Sequence, residues 1–143
     1  MKVLVINGPN LDMLGKREAN FYGSNTYEEL KLKISKYASD LGLEADVRQT
    51  NDEATMISWL HQAAESNLPV IINPAAFTHY SYAIRDAIVM VQAAKIEVHI
   101  SNPLSREEFR HTSVISGVVD GTISGFGVNS YRLALEAIRD LTK

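Results

Sequence analysis

The chain has 143 residues, of which 45% are hydrophobic and 22% charged, proportions of an ordinary globular protein that exclude disordered and fibrous classes. Fourteen Lys and Arg against 17 Asp and Glu leave a net charge of −3, which argues against neutralising a nucleic-acid backbone but permits a local basic pocket. Cysteine is absent, so a disulfide framework, a thiolate metal site and a cysteine nucleophile are excluded. The opening MKVLVINGPN carries one lysine and an apolar run too short for a signal peptide, and no apolar stretch approaches the ~18 residues of a membrane span. The expectation is one cytoplasmic domain over residues 1–143, with no membrane and no nucleic-acid partner.

Residues 2–6 are β-branched and apolar, as in a strand covered on both faces. Residues 7–25 read as a loop punctuated by Gly8, Pro9, Gly15 and Gly23. At ~19 residues it is longer than a simple connection, and loops of that length usually carry function. Thr26-Tyr27-Glu28-Glu29 is a capping box opening a helix whose stripe is Leu30, Ile34, Tyr37, Ala38 and Leu41, closed by Gly42. A second strand covers 43–49. Asn51 or Asp52 then caps a helix bearing Met56, Ile57, Leu60, Ala63 and Ala64. A third strand covers 69–73, followed by a helix from about 81 to 94. A fourth strand covers 96–101, a polar loop runs from 102 to about 112, a weaker fifth strand lies near 118–124, and a helix spans 128–142.

Strand–helix alternation without repeats or linkers implies a parallel sheet with helices on both faces. Five strands in a chain this short point to a flavodoxin-like, doubly wound α/β fold of order 2-1-3-4-5. Ligands on such sheets bind outside the carboxyl ends of the strands, beside strands one and three. The polar residues converge there: Asn7, Asn10, Arg17 and Tyr22 after strand one, Asn73, Thr78 and His79 after strand three, and His99, Ser101, Asn102, Arg106 and Arg110 on or after strand four.

Strand four carries the strongest chemical signal. Period-two alternation puts Ile96, Val98 and Ile100 on one face and Glu97, His99 and Ser101 on the other. Three polar residues in a row are costly on an inner strand unless they bond to one another or line a wet cavity. Either this is an edge strand with a solvated face, or it holds an oriented histidine partnered by Glu97 or Ser101. Of the other histidines, His61 reads as a surface residue, His111 as a loop residue and His79 as a residue near a helix start. No histidine pair at metal-ligand spacing exists, so no metal site is expected. Gly121, Gly125 and Gly127 match neither a dinucleotide fingerprint nor a P-loop.

Four ordered blocks are more specific than any of these patterns. They are Ile6-Asn7-Gly8-Pro9-Asn10-Leu11 with Leu14-Gly15-x-Arg17-Glu18; Tyr22-Gly23; Asn73-Pro74-x-Ala76-x-Thr78-His79-x-Ser81 with Arg85-Asp86; and Glu97-Val98-His99-Ile100-Ser101-Asn102 with Arg106-Glu107-Glu108-Phe109-Arg110. Through them the chain closely resembles the type II 3-dehydroquinate dehydratases, from the first strand almost to the last residue. Ala75 departs from the family, which commonly has glycine there.

The resemblance implies a flavodoxin-like fold, cofactor-free elimination of water from 3-dehydroquinate to give 3-dehydroshikimate, and a homododecamer built as a tetramer of trimers. It assigns Tyr22 as the base, Arg17 as its activator, His99 as the general acid oriented by Glu97, and Asn10 as organiser of a water on the enolate. Substrate contacts fall to Asn73, His79, Arg110 and the Ile100–Ser101 segment, with Asp86 reaching a neighbouring subunit's site. These residue types suit the reaction. Removing a proton beside a carbonyl and expelling a β-hydroxyl needs a base, an enolate stabiliser and an acid. A free tyrosine, with a pKa of about 10, serves as a base only beside a group such as a guanidinium that favours its anion. The alternative is a non-catalytic flavodoxin-like module that binds a nucleotide or flavin; a coloured or phosphate-retaining preparation would distinguish it.

Overall fold

The structure is a computed structural model that describes residues 1–16 and 18–143. Five parallel strands form one sheet: β1 (Lys2–Asn7), β2 (Glu44–Gln49), β3 (Val70–Asn73), β4 (Lys95–His99) and β5 (Gly121–Ser124). Their order is β2-β1-β3-β4-β5, so the flavodoxin-like, doubly wound α/β reading holds. The helices are α1 (Ala19–Tyr22), α2 (Tyr27–Asp40), α3 (Glu53–Ser66), α4 (Tyr82–Val89) and α5 (Asn129–Leu141).

Alternation along the inner strands sorts the core into two layers. Val3, Val5, Ile71, Ile96 and Val98 pack with Leu30 and Ile34 of α2 and with Tyr131, Leu135 and Ile138 of α5. Leu4, Ile6, Val70 and Ile72 face Met56 and Leu60 of α3 and Ile84 and Ile88 of α4. Each such fully buried aliphatic side chain contributes roughly 1.5–3 kcal/mol by leaving water.

The expected caps form. Thr26 Oγ1 accepts the Glu29 N–H at 3.2 Å. At the other end of α2, Gly42 at φ +75° lets its N–H reach Ser39 O at 3.0 Å while the Leu43 N–H reaches Ala38 O at 2.8 Å, a Schellman closure. Of the two candidates, Asp52 caps α3, through the Thr55 N–H. Ser81, which the sequence reading did not name as a cap, closes the start of α4 by accepting the Ile84 N–H.

Several boundaries differ from expectation, among them that of strand four, which ends at His99 instead of 101. Helix α4 stops at Val89 instead of about 94, because Lys95 Nζ takes the Ile88 and Val91 carbonyls at 3.1 and 2.8 Å. Strand β5 begins at Gly121, since residues 116–118 form a 3₁₀ turn instead. The segment 7–25 is not a bare loop: it contains a 3₁₀ turn at Leu11–Met13 and helix α1, with Leu11 and Leu14 buried in the core. Among the described residues no helix is long and apolar enough to cross a membrane.

Candidate active site

The carboxyl ends of β1 and β3 lie side by side, with Asn7 opposite Asn73. A Cβ on Gly8 would meet Pro74 O at 2.8 Å, so glycine lets the two exit loops touch. The Gly8 N–H bonds Asn73 O at 2.8 Å. Asn10 and Ala75 have φ of +70° and +51°, a conformation that L residues adopt at a cost of about 1–3 kcal/mol. Both border a cleft of about 120 Å³. Asn10 is held by its N–H on Asn51 Oδ1 at 2.9 Å.

That cleft gathers Asn10, Tyr22, Asn73, His79, His99, Ile100, Ser101 and Arg110, eight of the ten expected site residues. Asp86 is not among them: it is exposed on α4 and makes no hydrogen bond or ion pair with another described residue. Arg17 lies outside the described residues.

Strand β4 is an inner strand, between β3 and β5, so the solvated-edge reading fails. Glu97 is fully buried, and four hydrogen-bonding groups explain how. His99 Nε2 meets Glu97 Oε2 at 2.5 Å, which chooses Glu97 over Ser101 as the partner of the histidine. Thr78 Oγ1 donates to the same oxygen at 2.6 Å, and Ser116 Oγ donates to Oε1 at 2.6 Å. Ser113 Oγ stands 2.6 Å from Thr78 Oγ1, whose proton goes to the carboxylate, so Ser113 must donate to Thr78. Burial pushes the Glu97 carboxyl up, but the His99, Ser116 and Thr78 bonds together with the His99 charge hold it below the usual carboxylate range. With Nε2 committed to Glu97, the Nδ1 side of the ring is left for a ligand.

Tyr22, on α1, is 8% exposed. Its hydroxyl accepts from Arg106 Nη1 at 2.6 Å, and the Arg106 guanidinium lies 4.4 Å from the Phe21 ring centroid and 5.0 Å from that of Tyr22. The same Nη1 reaches Ser101 Oγ at 3.2 Å. Arg106 is the cleft residue the sequence reading left without a role. Its signal was present, an arginine in the loop after strand four beside Arg110, but nothing in sequence ties it to a tyrosine 84 residues away.

The remaining groups are preset by local contacts. Arg110 Nε donates to Glu107 Oε1 at 3.1 Å, and its guanidinium stacks 4.5 Å from the Phe109 centroid. The Arg110 hydrogen bond holds the exposed Glu107 carboxyl low. His79 Nδ1 donates to Thr112 O at 2.8 Å, which leaves Nε2 as its second polar atom. Among the described residues no three His, Asp or Glu gather as metal ligands.

The family model for class II dehydroquinases matches residues 1–139. The chain belongs to that family. It is 53% identical over 141 residues to a 3-dehydroquinate dehydratase from Caldicellulosiruptor bescii, covering 98% of this chain and 97% of the relative. It is likewise 53% identical over 139 residues to that of Thermotoga maritima, covering 97% and 95%. The crystal structure of a type II dehydroquinase from Propionibacterium acnes superposes with a TM-score of 0.95 at 51% identity, covering 97% of this chain and 96% of the other.

Proposed function

We propose that this cleft dehydrates 3-dehydroquinate to 3-dehydroshikimate through an enolate, with Tyr22 as base and His99 as general acid. The observation that carries this reading is the pairing of a cation-bound phenol with a carboxylate-backed imidazole on two walls of one cleft. The Arg106 hydrogen bond stabilises the phenolate oxygen, and a guanidinium cannot itself give up its proton. The phenolate takes the proton beside the substrate carbonyl, leaving an electron pair that becomes the enolate. Asn10 organises a water on that oxygen. The enolate then collapses and expels the β-hydroxyl, which receives a proton from His99 Nδ1 and departs as water.

Glu97 suits the acid step because its charge balances the imidazolium, and because the proton kept on Nε2 fixes the tautomer afterwards. One proton is taken by Tyr22 and one given by His99, so return of the Tyr22 proton to His99 closes the cycle. These steps need no redox group or cofactor. Arg17, Asn73, His79, Arg110 and the Ile100–Ser101 segment keep the roles the family resemblance implies, the first on Tyr22 and the others on substrate. Residues 1–143 act as one catalytic unit.

Enone absorbance on mixing with 3-dehydroquinate tests the reading. Tyr22→Phe removes one oxygen and keeps the ring, so turnover should fall by orders of magnitude with folding intact. Near-normal turnover in that variant would reassign the base.

Asp86 is consistent with the homododecamer that the family resemblance implies: it is an exposed carboxylate with no hydrogen-bond or ion-pair partner among the described residues, free to reach a neighbour's cleft. Ultracentrifugation should find the activity in the assembled species, and a fully active monomer would overturn this assignment.

A further inference from the structure

Beneath the cleft lies a buried polar string that the reaction steps do not use. Tyr131, on α5, is fully buried, and its hydroxyl sits between two carboxamides at adjacent strand ends. It donates to Asn7 Oδ1 at 2.6 Å and accepts from Asn73 Nδ2 at 2.9 Å. Asn73 Oδ1 in turn accepts the Ala75 N–H at 3.2 Å.

The direction of this string is forced. A carboxamide can present either its oxygen or its nitrogen to a neighbour, and a hydroxyl can donate or accept. The Ala75 N–H, however, can only donate, so the group facing it must be the oxygen of Asn73. The Asn73 nitrogen then faces Tyr131, whose oxygen must accept, and whose proton must go to Asn7. Reversing Asn73 sets two donors against each other at Ala75, and turning the Tyr131 proton toward Asn73 sets two donors against each other there.

We infer that Tyr131 is a positioning residue that locks the Asn73 carboxamide in the single orientation from which it meets substrate. The inference rests on the assignment of Asn73 to substrate under the proposed function. Asn73 retains one N–H and one oxygen lone pair beyond the string, and their directions are fixed from behind by Tyr131 and from the side by Ala75. Without the Tyr131 oxygen, the carboxamide has no fixed acceptor for its nitrogen and turns about its last bond. Burial pushes the Tyr131 phenol up, so the hydroxyl stays a neutral donor throughout the working pH range.

The test uses kcat and KM for 3-dehydroquinate in Tyr131→Phe, Asn73→Ala and the double variant. KM does not depend on the fraction of protein that is folded, so a purely structural loss lowers apparent kcat and the melting temperature while leaving KM unchanged. Asn73→Ala should raise KM about tenfold or more, and Tyr131→Phe about tenfold with kcat within about threefold. In the Asn73→Ala background Tyr131→Phe should change KM by less than about twofold, because its effect runs through Asn73. If Tyr131→Phe does not fold, Asn7→Ala serves in its place: the hydroxyl proton then turns to Asn73, and KM should rise several-fold. A raised KM in Asn73→Ala with an unchanged KM in Tyr131→Phe, or in Asn7→Ala, overturns the inference and leaves the proposed function standing. An unchanged KM in Asn73→Ala removes Asn73 from the substrate and overturns both.

Discussion

Replacing Thr78 by Val tests how the buried Glu97 is tolerated. Valine keeps the shape of threonine and deletes one oxygen, which donates to Glu97 Oε2 and accepts from Ser113, each at 2.6 Å. A hydrogen bond to a charged group is worth about 2 kcal/mol net, and stranding the Ser113 hydroxyl adds about 1 kcal/mol, so the variant should lose about 3 kcal/mol at pH 7. Glu97 holds its proton less tightly in the folded than in the unfolded chain. Its contribution is therefore full above the ordinary glutamate value of about 4.3 and is lost as pH falls through the lower folded value. The charge-dependent part of the penalty should fade with it, leaving about 1 kcal/mol in acid from the Ser113 defect. Urea unfolding of both proteins at one protein concentration, from pH 7 down to about pH 3.5, reads this directly. A penalty below about 0.5 kcal/mol at pH 7, or one that does not shrink in acid, would show that Thr78 is not holding a carboxylate.

Arg106→Met removes the charge on Tyr22 while keeping most of the side chain, and kcat should fall by about 10²–10³, with Arg106→Lys recovering only part of it; a kcat within threefold in the enone assay would leave the phenolate to Arg17 alone. Gly8→Ala places a methyl 2.8 Å from Pro74 O and should cost about 2–4 kcal/mol in urea unfolding, because a backbone must move to admit it. Unchanged stability would show that the loops have slack. Ala75→Gly removes a left-handed alanine, and the strain relieved should outweigh the added freedom of the unfolded chain, raising the melting temperature by about 2 °C. A lower melting temperature would mean that the Ala75 methyl packs better than its backbone suffers.

Much of this site can be read from local pattern. Period-two alternation puts Glu97 and Ser101 on the face of His99 and so narrows its partner to those two, and the caps at Thr26 and at Asn51 or Asp52 follow from residue type and spacing. What escaped the sequence depends on distant partners. Nothing near Lys95 shows that its ammonium will end α4 by taking two carbonyls. Arg106 gains its role only when α1 brings Tyr22 across to it. Tyr131 shares the buried face of α5 with Ala134, Leu135 and Ile138; its hydroxyl matters only because two asparagines at the ends of β1 and β3 lie beneath it.

The Tyr131 hydroxyl also bears on how the chain folds during synthesis. It meets Asn7 at a sequence separation of 124 and Asn73 at 58, so the floor of the cleft is closed by contacts that cost the most chain entropy to form and appear late. A ribosome-bound chain can pair β1 with β2 and β3 and pack α2 and α3 long before α5 emerges. Until then the Asn7 and Asn73 carboxamides lack the hydroxyl that joins them. A nascent chain arrested before residue 131 should therefore hold most of its sheet and bind no substrate, with ligand affinity switching on only as the helix bearing Tyr131 docks.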